Sequence, residues 1–235
     1  MYRPALMRSV LSAGMLTILM LALTACGGGG LAQQEEANKV HHIPEDAQTY
    51  EGELLPAGRY VTEEFKPAMS FTLGKGWTRG GPELPDVWDL RDIENDAFWV
   101  LFSSAEKVYD PKGPDRVKIA PAPEDMVAWL QANPHLKTEE PKPTSVGGEK
   151  GVRFDAIVTG AVETPECPGC VDLPLFRYSD GERSYVENGE KIRFIVVEDV
   201  KGKTVTIFVE SSVPGFEKFM PKAQKVIDTA EWKGT

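Results

Sequence analysis

Apolar residues are distributed along this chain as one dense run followed by two alternating periods. The run lies near the start. Met15, Leu16, Ile18, Leu19, Leu21 and Leu23 form its middle, Arg3 and Arg8 precede it, and Thr24-Ala25-Cys26 close it. A period of two begins later and predicts strands. It covers Arg59–Thr62, Met69–Leu73, Val87–Leu90, Phe98–Phe102 and Arg116–Ala120. Ala122–Ala132 breaks the alternation. Met126, Val127, Trp129 and Leu130 share one helical face there, Pro123 suits a first turn, and Asn133-Pro134 is a stop. Alternation resumes at Gly151–Val158, with Val152, Phe154, Ala156 and Val158 on one side. Lys191–Val197 and Thr204–Glu210 are rich in β-branched residues, and the Gly202-containing link between them predicts a hairpin. A second helix is expected over about 215–229, because Phe216, Phe219, Met220, Ala223, Val226 and Ile227 recur at helical spacing. Pro221 falls inside it, which predicts either a late start or a kink, and Trp232 is expected to open a closing strand.

The first run is short for a membrane span and ends in small residues, which is the pattern of a signal peptide. Leu23-Thr24-Ala25-Cys26 resembles the lipobox of bacterial lipoprotein precursors. That resemblance implies cleavage before Cys26, a diacylglycerol thioether on Cys26 and an amide-linked acyl chain such as palmitate. Two or more chains hold a protein stably on a bilayer where one does so only marginally. The expected organisation is a signal peptide over 1–25, a lipidated cysteine with a Gly-rich polar tether over 26–50, and one domain over 51–235. The expected location is extracytoplasmic, lipid-anchored to the bacterial membrane or envelope.

Charge and cysteine content agree with that address. The chain carries 26 Lys+Arg against 36 Asp+Glu. Residues 1–25 hold two basic and no acidic side chains, so the remainder carries 24 against 36, a net of −12. Such a body does not attract nucleic acid through bulk charge. Of the three cysteines, lipidation would consume Cys26 and leave Cys167 and Cys170 as an even pair in an oxidising compartment.

The strand runs and the two segregated amphipathic helices predict an α+β fold, an antiparallel sheet with both helices packed on it. The order of elements carries a family resemblance: early strand pairs, Gly76-Trp77 after the second strand, a Pro-led helix, a long late hairpin, and a C-terminal helix running into a last strand. It is similar to the PsbP-like α/β/α sandwiches, among them the LpqN-type lipoproteins of mycobacteria. This implies a binding or accessory module rather than an enzyme. The 161–190 stretch is an insertion relative to that pattern.

Cys167-Pro168-Gly169-Cys170 is the one constellation with reactive potential. Pro-Gly suits the centre of a type II turn, which brings its outer Cα atoms into disulfide range. A structural disulfide is the first reading. A thioredoxin-like redox pair needs a helix start at the first cysteine, and Pro174 opposes one. A metal site would need two further ligands. Asp86, Asp89, Asp92, Glu94 and Asp96 crowd one segment, with Ala97 where a calcium loop needs Gly and Ser103 where it needs Glu. A solvated turn is expected there, with a weak cation site the alternative. His41, His42 and His135 do not group, and His135 is expected exposed. No nucleophile elbow, His-Glu-x-x-His or phosphate-binding loop occurs. The five tryptophans are expected mainly in the core. The functional expectation is a non-enzymatic, membrane-anchored envelope protein. It would use no cofactor and bind a protein, glycan or small ligand. The alternatives are an extracytoplasmic thiol–disulfide oxidoreductase using Cys167 and Cys170, and a cation-binding module at 86–96.

Overall fold

A computed structural model of the protein describes residues 40–42, 54–111, 118–160, 162–164 and 167–234. The signal run and Cys26 lie outside the described residues. Strands β1 (Val40–His42), β2 (Leu54–Leu55), β3 (Gly58–Val61), β4 (Met69–Leu73), β5 (Trp77–Arg79), β6 (Val87–Asp92), β7 (Asn95–Ser103), β8 (Lys107–Tyr109) and β9 (Ile119–Pro121) precede helix α1 (Met126–Gln131). Strands β10 (Leu136–Thr138), β11 (Lys142–Val146), β12 (Glu149–Val158), β13 (Val162–Thr164), β14 (Cys167–Arg177), β15 (Arg183–Glu187), β16 (Glu190–Val200) and β17 (Lys203–Ser212) follow. Helix α2 (Val213–Ile227) and strand β18 (Glu231–Trp232) close the chain.

Among the described residues these strands form three sheets. The central one runs β10-β12-β16-β17-β7-β6-β5-β2, with β11 on the same edge of β12 as β10, along its N-terminal half. All its pairings are antiparallel. Its middle strands are apolar on both faces because both faces are covered. On one face Trp88, Leu90, Val100, Phe102, Ile195, Ile207 and Val209 meet α2 and the sheet β1-β3-β4-β18. On the other, Leu101, Phe154, Phe194, Val196 and Phe208 meet α1 and the sheet built from β13, β14, β15, β8 and β9. The architecture is therefore mostly antiparallel sheet with one long helix and one short one. The two-helix sandwich expected from the sequence fits it loosely, since a third sheet does much of the covering assigned to helices.

Local chemistry accounts for the helix ends. Asp125 Oδ1 accepts the Ala128 N–H at 2.8 Å, so α1 starts at Met126 and Pro123 lies outside it, later than its expected start. Helix α2 begins with Pro214 in its first turn and runs through Pro221, which is exposed. Its stripe of Phe216, Phe219, Met220, Ala223, Val226 and Ile227 is buried, as the spacing predicts. The closing strand expected at Trp232 forms, opening one residue earlier at Glu231; Trp232 pairs with Met69, and its indole N–H donates to the Val146 carbonyl at 2.9 Å. That indole lies over Gly147, where a Cβ would approach Trp232 to 2.7 Å.

One stretch differs from expectation. Val40–His42, placed in the tether by composition, pairs in parallel with Arg59–Val61, and His41 stacks on Tyr60 at 4.9 Å. The paired body thus includes residues before 51. Within the 161–190 insertion, β13, β14 and β15 form most of the third sheet.

Candidate functional site

Three central strands place unlike residues side by side on the face beneath the third sheet. Register sets Arg91 beside Trp99 and Trp99 beside Glu210. One pleat further, Asp89 sits beside Leu101 and Leu101 beside Phe208. The β14–β15 hairpin covers this face only in part. The gap is a cavity of about 590 Å³. Its floor is apolar, from Val87, Trp99, Leu101 and Phe208, and Asp89, Glu187, Glu190 and Glu210 bring carboxyl groups into it. Pockets of this size, apolar with a few convergent polar groups, are the usual form of a small-molecule site.

Each carboxyl has its own setting. Asp89 is packed against Gly80, where a Cβ would meet its Oδ2 at 1.9 Å, so this close approach requires glycine. Enclosure pushes the Asp89 carboxyl up to about 6, against the opposing pull of the Arg91 and Arg79 guanidiniums and the Gly81 N–H. Glu210 is buried, and burial first, then its hydrogen bond to the Glu190 carboxyl, pushes it well above the ordinary carboxylate range. The Glu187 N–H donates to Glu190 Oε2 at 3.2 Å. Tyr178 projects into the same cavity as a buried, neutral phenol, held far above its usual range by burial. The hydroxyls of Ser103 and Ser184 lie near its own, yet none completes a well-formed hydrogen bond with it.

The two arginines of the cavity have other engagements. Arg91 lies over the Trp99 ring at 3.7 Å, and Arg183 Nη2 reaches Asp172 Oδ2 at 3.4 Å. Tyr185, beside Arg183, is exposed at the rim.

The acidic segment 86–96 is not a solvated turn throughout. Asp89 and Asp92 both belong to β6 and leave the turn to Ile93 and Glu94. They point to opposite faces. Asp89 enters the cavity, whereas Asp92 is buried beneath α2, paired with Lys222 Nζ at 3.0 Å and capping the Glu94 N–H at 2.9 Å. Alternation through the strand separates them, so they do not converge on a cation. The side chain of Asp96 lies outside the described residues. Among the described residues, no three His, Cys, Asp or Glu side chains are placed to hold a metal.

Cys167 and Cys170 belong to β14, and their side chains lie outside the described residues. Their backbone is irregular: Glu163 pairs with Val171, but Thr164 pairs with Cys167. Consecutive Cα atoms are about 3.8 Å apart, so residues 168–170 bulge out of the ladder between these two pairings. The expected turn thus takes the form of a bulge inside a strand. No helix starts there. His135 is partly buried rather than exposed, with Nε2 3.3 Å from the Pro111 carbonyl. Of the tryptophans, Trp77 and Trp88 are fully buried in the core, Trp129 and Trp232 are packed at its edges, and Trp99 lines the cavity.

Sequence reasoning missed the cavity. The available signal was charge at core-facing positions: Val87-x-Asp89-x-Arg91 on β6 and Phe208-x-Glu210 on β17 continue an apolar alternation with ionisable residues.

No protein-family profile matches the chain, and no curated protein matches it. Among the solved structures that it resembles are two of weak similarity. The solution structure of cyanobacterial PsbP (CyanoP) from Synechocystis sp. PCC 6803 aligns with a TM-score of 0.41 at 11% identity, covering 81% of this chain and 99% of that one. The crystal structure of LpqN, involved in cell envelope biogenesis of Mycobacterium tuberculosis, aligns at 0.32 and 8% identity, covering 75% and 85%. Both are of the kind that the order of elements along the sequence resembles.

Proposed function

We propose that this chain is a lipid-anchored protein of the bacterial cell envelope, and that its body is a non-enzymatic binding domain whose ligand occupies the cavity between the central and third sheets. The observation that carries the binding role is the cavity itself: an apolar floor, several convergent carboxyl groups and a buried phenol without a completed hydrogen bond. Attachment rests on Leu23-Thr24-Ala25-Cys26 at the end of its apolar run. No helix among the described residues is long and apolar enough to cross a membrane. In this reading Cys167 and Cys170 form a structural disulfide across the bulge, which the pairing of Cys167 and Val171 with adjacent residues favours.

Two measurements test it. Cys26→Ala should move the protein from the membrane to the soluble fraction; equal membrane retention overturns the anchor. For the cavity, native mass spectrometry of the chain extracted from its own envelope should find a small-molecule adduct. Leu101→Trp, which fills the floor, should remove that adduct while circular dichroism reports an unchanged fold. An adduct that survives Leu101→Trp, or none in either protein, overturns the site.

A further inference from the structure

Three of the cavity's carboxyl groups, Glu187, Glu190 and Glu210, have no ion-pair partner among the described residues. Glu187 and Glu190 flank the β15–β16 turn and meet Glu210 from β17. Among the described residues, no lysine, arginine or histidine forms an ion pair with any of the three; Arg183 is turned to Asp172 and Arg91 to the Trp99 ring. Glu210 is only 8% exposed. A buried carboxylate without a cation is costly, and the group relieves that cost by keeping its proton. Tyr178, 7% exposed, lines the cavity elsewhere with a phenol oxygen that has no completed hydrogen bond. Beneath these groups lie Trp99, Leu101 and Phe208.

We propose that the cavity takes a protonated organic amine, its ammonium head among Glu187, Glu190 and Glu210 and its apolar body over Trp99, Leu101 and Phe208. The assignment rests on the reading of the cavity as a ligand site and adds the ligand's charge and shape. An ammonium head offers three N–H donors, and the carboxylates are acceptors. A carboxylate or phosphate ligand would instead add negative charge to a site that already holds carboxyls close together. Entry of the cation replaces the proton that Glu210 holds, and that proton leaves to solvent. No covalent bond is made to the ligand. Asp89 and Arg91 from β6, Tyr178, Asp180 and Glu182 between β14 and β15, and Arg183 and Tyr185 from β15 also line the cavity. Because a proton is lost on binding, affinity rises with pH until the amine itself deprotonates.

Calorimetry on the full chain in detergent, with benzylammonium, benzyl alcohol and benzoate each titrated to about 10 mM, tests the assignment. Benzylammonium should bind saturably, benzyl alcohol roughly tenfold or more weakly, and benzoate not at all. Affinity for benzylammonium should increase from about pH 6 to about pH 8, with a buffer-dependent heat that reports the released proton. Glu210→Gln, which keeps the shape of the protonated acid, should weaken benzylammonium roughly tenfold and abolish proton release. If that variant fails to fold, Glu187→Gln at the exposed mouth should weaken binding in the same direction. Absent benzylammonium binding, equal binding of the alcohol or benzoate, or an unchanged Glu210→Gln each overturns the proposal. An envelope adduct removed by Leu101→Trp, with no amine binding, would overturn the charge assignment alone and leave the cavity a ligand site.

Discussion

Glu83 does for one loop what a helix cap does for a helix. Its Oε1 accepts the N–H groups of Glu63 at 2.8 Å, Glu64 at 2.9 Å and Phe65 at 2.9 Å, pinning the chain where it leaves β3 for β4. Phe65 is fully buried, so its backbone cannot turn freely to water once that acceptor is gone. Glu83→Ala should therefore lower stability by about 2 kcal/mol, since three charge-assisted bonds go and two of the donors regain solvent. Urea unfolding of the two proteins checks it; an unchanged midpoint would mean that the loop is held by packing alone. At this scale the sequence was least legible. Glu83 carries no local signal, because its partners lie about twenty residues away. Asp89, Arg91 and Glu210 could be placed on the core-facing side by alternation, yet charged residues in that phase read as surface until the gap above them is known. Asp92 resembled a calcium ligand only while its neighbour Lys222, far along the chain, was out of sight.

Helix α2 shows the opposite balance, because a single period specifies both its existence and its buried face. Phe219 packs against Trp77 at 5.9 Å and Phe98 at 4.9 Å between ring centroids. Around it Lys222 lies 4.7 Å from the Trp77 ring, donates to the Gly76 carbonyl at 2.7 Å and pairs with Asp92, so one turn of helix clamps β5 and β6 together. Phe219→Ala should cost about 3–5 kcal/mol, as for other buried aromatic truncations, and loosen the β5–β6 edge first. Hydrogen exchange should report that order; uniform loss of protection over all strands would refute the local clamp. Strands with strong alternation, from β3 and β4 to β12, β16 and β17, were equally plain. The third sheet was not. β13 and β15 are short, and β14 begins with Cys-Pro-Gly-Cys and carries Pro174, residues that normally mark turns. β1 lies in polar sequence and exists through its pairing with β3, a contact that no local period encodes.

Across the whole molecule, the buried carboxyls predict how stability responds to pH. Asp89, raised to about 6, and Glu210, raised well above the usual value, hold their protons more tightly in the folded chain than in the unfolded one. For such groups the folded state is favoured fully below the unfolded carboxylate range, and that advantage is lost as pH rises through the folded values. Asp155 works the other way. Arg193 at 2.6 Å and Lys191 at 3.3 Å hold it below its ordinary value despite its burial, so its contribution is present above the unfolded range and lost as pH falls through the folded one. Net charge favours the same middle ground, since self-repulsion from a formal −10 at neutrality shrinks toward the pI near 4.9. The melting temperature should therefore peak near pH 5, decline toward pH 8 and decline again in stronger acid. Asp89→Asn removes one titrating acid from the cavity and should flatten the alkaline side of that curve alone. Asp155→Asn should flatten the acid side alone, because its ion pairs lie on the α2 face of the central sheet, away from the cavity. Calorimetric scans of the three proteins from about pH 2 to pH 8 separate the two arms. A curve that rises steadily with pH in the parent chain would mean that Asp89 and Glu210 are solvated, and with them the enclosed cavity would fall.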